Sequence, residues 1–265
     1  MIKESIKQEI MARIKRAEQE YNVRVLYAVE SGSRAWGFAS ENSDYDVRFI
    51  YAHPQDWYLT VDLEKKRDVI EYPIVDEIDI NGWDVRKALQ LMWKSNPAIV
   101  EWLKSPIVYR DDQIFAPMAR NALEDLYSVE KGIYHYRNMA MNNYREHLNK
   151  ETVTLKKYFY VLRALLSILW LEKYQSTAPI EFSALRSLIS DRRALNQTID
   201  ELLVQKRSGQ ETEKAPPIPI LTAFISEQLT RLEQLSKYAD QSDQRVNRLN
   251  QIFQIIVSSY HTKAA

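Results

Sequence analysis

The stretch ESGSRAWGFASENSDYDVRFIY, residues 30–51, limits the possible folds more than any other part of the chain. It joins two runs of strand-forming residues, NVRVLYAVE at 22–30 and YDVRFIYA at 45–52. Two of only five glycines, Gly32 and Gly37, fall between them. Gly32 opens a backbone conformation closed to other residues and puts no side chain in the way of a ligand. The backbone N–H groups of Gly32, Ser33 and Arg34 then converge at the start of a short helix, which suits an anion. Ser33 adds a hydroxyl donor, and the turn as a whole suits a phosphate.

Asp44 and Asp46 follow, separated by Tyr45. Alternate strand residues face the same way, so the two carboxylates share a face and repel each other. A divalent cation removes that penalty, and an all-oxygen donor set suits Mg²⁺ or Mn²⁺. This reading requires a third acid from a neighbouring strand. VDEIDING at 75–82 alternates like a strand, with Gly82 as a turn residue, and offers Asp79 between Ile78 and Ile80. Asp76 comes too early, and Asp84 is placed to cap the helix that begins near Val85. Glu77 shares a strand face with Asp79, so parity does not separate them.

The remaining elements read as an α+β chain. Ile2, Ile6, Ile10, Ile14 and Ala17 form the apolar stripe of a first helix. Residues 53–73, punctuated by Pro54 and Pro73, read as a loop with a short element. Helices are expected in WDVRKALQLMWKSN and NPAIVEWLKSP, with Pro97 in a first turn. From about residue 112 the pattern is helical, including a long buried helix at 151–174, a polar proline-bearing loop at 208–220 and two closing amphipathic helices. The changeover near 105–112 predicts two domains, 1–110 and 111–265.

Composition excludes some functions. The chain has no cysteine, hence no disulfide, thiolate metal site or cysteine nucleophile. It has no apolar run near eighteen residues, and its charged start lacks a signal-peptide core. A soluble cytoplasmic protein with no membrane partner is the expectation. Lys plus Arg equals Asp plus Glu at 36 each, so net charge gives no argument for a nucleic-acid partner. A local basic face remains compatible with that sum.

Gly-Ser, ten intervening residues, Asp-x-Asp and a later Asp between apolar residues resemble the signature of the DNA polymerase β-type nucleotidyltransferases. The wider stretches ESGSRAWGFASENSDYDVRFIY, DINGWDVRKALQLMWKSNPAIVEWL and KKYFYVLRALL are similar to the YcgL-like, or RNA-repair-pathway polymerase-β, group. The resemblance runs over most of residues 20–175. It implies a nucleotidyltransferase core, a small mixed sheet with helices, followed by an all-helical C-terminal domain. It implies transfer of a nucleoside monophosphate from an NTP with release of pyrophosphate. By position, Asp44 and Asp46 would hold two Mg²⁺, Asp79 would complete the second site and accept or orient the proton of the attacking hydroxyl, and Gly32 and Ser33 would hold the β- and γ-phosphates.

Other residues are weighed beside these. Arg34 reaches either a triphosphate, the acceptor or a surface ion pair, and Ser43 either a phosphate or its own turn. Glu30 is placed to orient the Gly-Ser turn. Arg48 shares the parity of Asp44 and Asp46 and can neutralise them or face a γ-phosphate. Lys156, Tyr160 and Arg163 share one helix face. Because the family sets a helical subdomain over the nucleotide, they are expected to contact it, with buried aliphatic stems as the alternative; Lys157 points elsewhere. Trp83, Trp93 and Trp102 read as core, Lys87 as a weak site candidate, and His135 and His147 as isolated. The expected acceptor is RNA (tRNA or nicked RNA) at a 3′ end. A protein hydroxyl, a small molecule and a non-catalytic nucleotide-binding module are the alternatives.

Overall fold

The computed structural model describes residues 2–208, 214–233 and 246–259. From the N-terminus, α1 (Glu4–Tyr21) leads into β1 (Arg24–Glu30), the four-residue α2 (Gly32–Ala35) and β2 (Tyr45–Ala52). Next come α3 (Gln55–Tyr58), a 3-10 turn (Leu63–Lys65), β3 (Val69–Glu71) and β4 (Ile78–Asp84). Helices α4 (Val85–Trp93) and α5 (Pro97–Lys104) precede β5 (Val108–Asp111). Beyond it lie α6 (Phe115–Leu126) and α7 (Val129–Asn143), which runs into a π-helical turn (Tyr144–Leu148). The rest comprises β6 (Val153–Thr154), α8 (Lys156–Tyr174), α9 (Phe182–Arg186), α10 (Arg193–Arg207), β7 (Lys214–Ala215), α11 (Pro219–Glu233) and α12 (Val246–Ser258). The fold is α+β. Among the described residues no helix is long and apolar enough to cross a membrane.

Five strands form a mixed sheet in the order β3-β4-β2-β1-β5. β2 pairs antiparallel with β1 and parallel with β4. Strand parity then divides the side chains between two faces. Val47, Phe49 and Tyr51 of β2 join Ile78 and Ile80 of β4 under α1, against Ile10, Ile14 and Ala17. Ile50 and Ala52 face the other way with Leu26 and Val29, covered by α4, α5, α6 and α12. The third core lies among α7 to α11, and Phe38, just beyond α2, inserts into it with its ring 4.9 Å from that of Phe159. α8 is buried on nearly all sides from Tyr158 to Ile168, as its apolar sequence requires.

Local chemistry sets several boundaries. Asp84 accepts a hydrogen bond from the Arg86 N–H and starts α4. Asn96 does the same for Ala98, with Pro97 in the first turn of α5. The expected strand 75–82 is shifted: Asp76 and Glu77 sit at φ 52° and 61°, and β4 starts after that turn, at Ile78. Gly82 is no turn residue. It lies in β4 opposite Phe49, where an added Cβ would be 2.2 Å from the ring. Gly82→Ala is therefore expected to force a buried ring to move and to cost about 1–3 kcal/mol, read as a lower urea midpoint. An unchanged midpoint would show that the Phe49 ring yields freely.

Two features cross the expected division of the chain. β5 pairs with β1 across residues 108–111, and α12 returns from the C-terminus to pack on α4 and α6. Within the expected 208–220 loop, Lys214–Ala215 pairs with β6 and Pro219 starts α11. Residues 209–213 and 234–245 lie outside the described residues.

Candidate active site

β1 ends at Glu30, and the Ser31 N–H donates to the Asp46 carbonyl at 2.8 Å, which draws the turn onto β2. Gly32 has φ +59°, and a Cβ there would lie 1.9 Å from Asp46 Oδ2. Both facts require glycine: the backbone is left-handed and the carboxylate occupies the side-chain position. The N–H groups of Gly32, Ser33 and Arg34 fall in the first turn of α2, where an α-helix supplies no acceptor.

The parallel register sets Asp46 directly opposite Asp79. Both lie on the α4/α5 side of the sheet, and both are partly exposed. One nitrogen, Arg48 Nη2, donates to Asp46 Oδ1 at 3.2 Å and to Asp79 Oδ2 at 2.7 Å. Arg48 Nη1 donates to the carbonyls of Val47 and Asp79, each at 2.9 Å. Asn81 Nδ2 holds the other oxygen of Asp79 at 2.6 Å. Burial raises the pKa of Asp46; Arg48 opposes the shift, while the charges of Asp79 and Asp44 add to it. Asp44 is exposed, just before β2. Among the described residues no three acidic, histidine or cysteine side chains are gathered as a complete metal site. The donor set nevertheless fits a hard cation: two carboxylates from adjacent strands already converge on one positively charged group.

Glu30 supports this arrangement from behind. Its side chain is fully buried and accepts the Asp46 N–H at 3.0 Å and the Tyr109 hydroxyl. The Ser105 hydroxyl donates to its carbonyl at 2.5 Å. Burial pushes the Glu30 carboxyl from 4.5 up to about 7, despite the opposing pull of the Tyr109 and Asp46 hydrogen bonds. The folded chain therefore binds a proton here that the unfolded chain releases between those values. Stability from this group is full below pH 4.5 and is lost as pH rises through about 7. Glu30→Gln is expected to flatten that part of a urea-midpoint profile against pH; an unaltered profile would contradict the assignment.

The remaining expected site residues fall into place unevenly. Arg34 donates to the carbonyls of Asp44 at 3.2 Å and Ser43 at 2.5 Å, and lies 4.0 Å over the Tyr45 ring. It braces the segment leading into β2. The Ser43 hydroxyl is buried within its own turn, accepting the Ser40 N–H at 3.0 Å. Arg163 is 4% exposed, paired with Glu101 at 2.8 Å and stacked 3.8 Å over Trp36. Its charge is paired with an acid of α5 and stacked on the residue just beyond α2. Tyr160 stands edge-on to Trp36, 38% exposed, with Lys157 over its ring. Lys156 is half-buried at the start of α8. Tyr160 and Arg163 both contact Trp36, the residue that follows α2, whereas Lys156 lies one turn earlier on α8.

The competing acids separate as well. Asp84 is 1% exposed and occupied by the α4 cap and the Tyr58 hydroxyl. Glu77 is exposed in the turn before β4, where its carbonyl accepts the Tyr45 N–H. Lys87 pairs with Asp68, and His135 contacts the Lys94 carbonyl. Trp83 and Trp102 stack with ring centres 3.8 Å apart beside the core. Trp36, Glu101, Tyr109, Ser105 and Asn81 were not singled out from the sequence. Only Asn81 carried a local signal, being on the strand face of Asp79.

The chain as a whole is similar to known proteins. The chain is 43% identical over 232 residues to the uncharacterized protein YcgL of Bacillus subtilis (strain 168), covering 88% of each chain. A solved structure, a nucleotidyltransferase-like protein from Exiguobacterium sibiricum 255-15, aligns over 94% of this chain and 90% of its own. Its sequence identity is 12% and its TM-score 0.32. Residues 6–254 match the RNA repair pathway DNA polymerase beta family. The Gly-Ser turn, the paired strand carboxylates and the helical layer thus belong to one continuous match, and the chain is a member of that family.

Proposed function

We propose that this protein transfers a nucleoside monophosphate from an NTP to the 3′ hydroxyl of an RNA and releases pyrophosphate. The observation that carries the reading is the β2–β4 register, which sets Asp46 and Asp79 face to face beside the Gly32 turn. Family membership agrees with it.

Asp44, Asp46 and Asp79 are the residues that would hold Mg²⁺ or Mn²⁺, which supplies charge neutralisation for the triphosphate and the attacking oxygen. The chain's own groups do the rest. The Gly32–Ser33 turn offers backbone N–H groups and a hydroxyl to the terminal phosphates. Asp79, held by Asn81, accepts the proton of the attacking hydroxyl. The hydroxyl oxygen bonds to the α-phosphorus as the bond to pyrophosphate breaks. Glu30 fixes the Asp46 backbone, so the reacting groups are positioned before substrate arrives.

The test is direct. The protein is incubated with each α-labelled NTP, Mg²⁺ or Mn²⁺, and total tRNA, with cell lysate in parallel. Label in RNA, absent when the 3′ ends are blocked, is the expected result. Label in protein would replace the acceptor with a side-chain hydroxyl. No label under either metal would sink the transferase reading.

A further inference from the structure

We infer that Arg48 is the internal counter-cation of the Asp46–Asp79 pair, and that a divalent cation must compete with its guanidinium for the same oxygens. The inference rests on the metal-dependent reading above and adds a regulator to it. Asp46 and Arg48 are two residues apart on β2 and therefore share a face. The adjacent strands lie at the ordinary spacing of about 5 Å, so two carboxylates opposite each other repel unless a cation stands between them. Here that cation is Arg48 Nη2, shared by Asp46 Oδ1 and Asp79 Oδ2.

The guanidinium and a metal ion cannot both take those lone pairs at full strength. The Asp46 and Asp79 side chains keep 30% and 21% of their surface exposed, so solvent ions reach them. Asn81 grips the second oxygen of Asp79 and keeps that carboxylate oriented once Arg48 lets go. A released guanidinium carries five donors in a fork that matches phosphate oxygens. Arg48 thus stabilises the Asp46–Asp79 pair without metal and makes metal entry easier when a triphosphate is present to receive the arginine. The two ligands are coupled through one side chain.

The experiment measures Mn²⁺ affinity by the paramagnetic resonance of free Mn²⁺, with and without a non-hydrolysable ATP analogue, alongside thermal midpoints. Arg48→Gln is expected to bind Mn²⁺ on the order of tenfold more tightly than wild type without nucleotide. Its metal-free midpoint falls, and Mn²⁺ raises that midpoint further than it does for wild type. The analogue strengthens Mn²⁺ binding more in wild type than in the variant. Arg48→Lys, which keeps the charge but loses the fork, falls between them and serves if the Gln variant does not fold. Equal or weaker Mn²⁺ binding by the Gln variant would make Arg48 a fixed brace and overturn the inference. Absence of Mn²⁺ binding by wild type even with the analogue would overturn the metal-dependent reading itself.

Discussion

Asp46→Asn is expected to lower nucleotidyl transfer about a thousandfold while leaving the metal-free fold as stable as wild type or more so. The change is nearly isosteric, so the contact with Gly32 and the Asp46 N–H bond to Glu30 persist. In the proposed reaction, what disappears is one carboxylate ligand of the cation that would neutralise the triphosphate's charge, and losing a single electrostatic stabiliser of that kind costs about 10²–10³ in rate. Asp46 sits opposite Asp79, so its loss also breaks the pair on which the proposed site depends, which places the effect at the upper end. Stability moves the other way. Burial and two neighbouring aspartates penalise the charged form of Asp46 in the folded chain. Asparagine removes that penalty, and Arg48 retains Asp79 as its partner. Initial rates with labelled NTP and a thermal melt check both halves. Transfer within tenfold of wild type would remove Asp46 from the reaction.

The second large effect falls on the turn. Gly32→Ala is expected to destabilise the protein by about 2–4 kcal/mol and to cut transfer by about a hundredfold. A left-handed conformation costs an alanine about 1–2 kcal/mol. Its Cβ would also meet the Asp46 carboxylate at 1.9 Å, so the turn or the carboxylate must shift. A displacement near 1 Å at a reacting group is enough for a loss on the order of 10² in rate. Gly37 separates the two causes. It has φ +85° but open space around a built Cβ, so Gly37→Ala carries the backbone strain without the collision. Its expected loss is about 1–2 kcal/mol with transfer largely kept. Equal losses of transfer in both variants would assign the effect to general turn strain rather than to the Gly32–Asp46 approach. Rates and urea midpoints of the two variants decide this.

The site was legible where its chemistry is local. β2 spans the expected residues 45–52, and its alternation assigns Asp46 and Arg48 to one face and Val47 and Phe49 to the other. The Asp84 cap follows from a side chain two residues from the N–H it accepts. Distance along the chain hides the rest. Tyr109 reaches Glu30 across 79 residues, and only the pairing of β5 with β1 brings them together. Spacing placed Lys156, Tyr160 and Arg163 on one stripe, but α8 is surrounded by other elements, so a shared stripe does not say which neighbour it meets. Arg163 meets Trp36 and Glu101, a pairing set by how α8 packs against the α2–Phe38 segment and α5. Gly82 reads as a turn residue by type; the Phe49 ring beside it is visible only in the register.

The segment after α2 has a consequence for how this architecture can diversify. Trp36 and Phe38 leave the sheet and lodge in the helical layer, the one between Arg163 and Tyr160, the other between Phe159 and Phe182. The Gly32 turn is therefore hinged to the helices by its own continuation. A lineage or a designer exchanging that layer inherits a fixed obligation: the replacement must bring a socket for two aromatic rings. Turn geometry and the packing of the helices are thus transmitted together, and chimeras cut between sheet and helices succeed only when the socket travels with the turn.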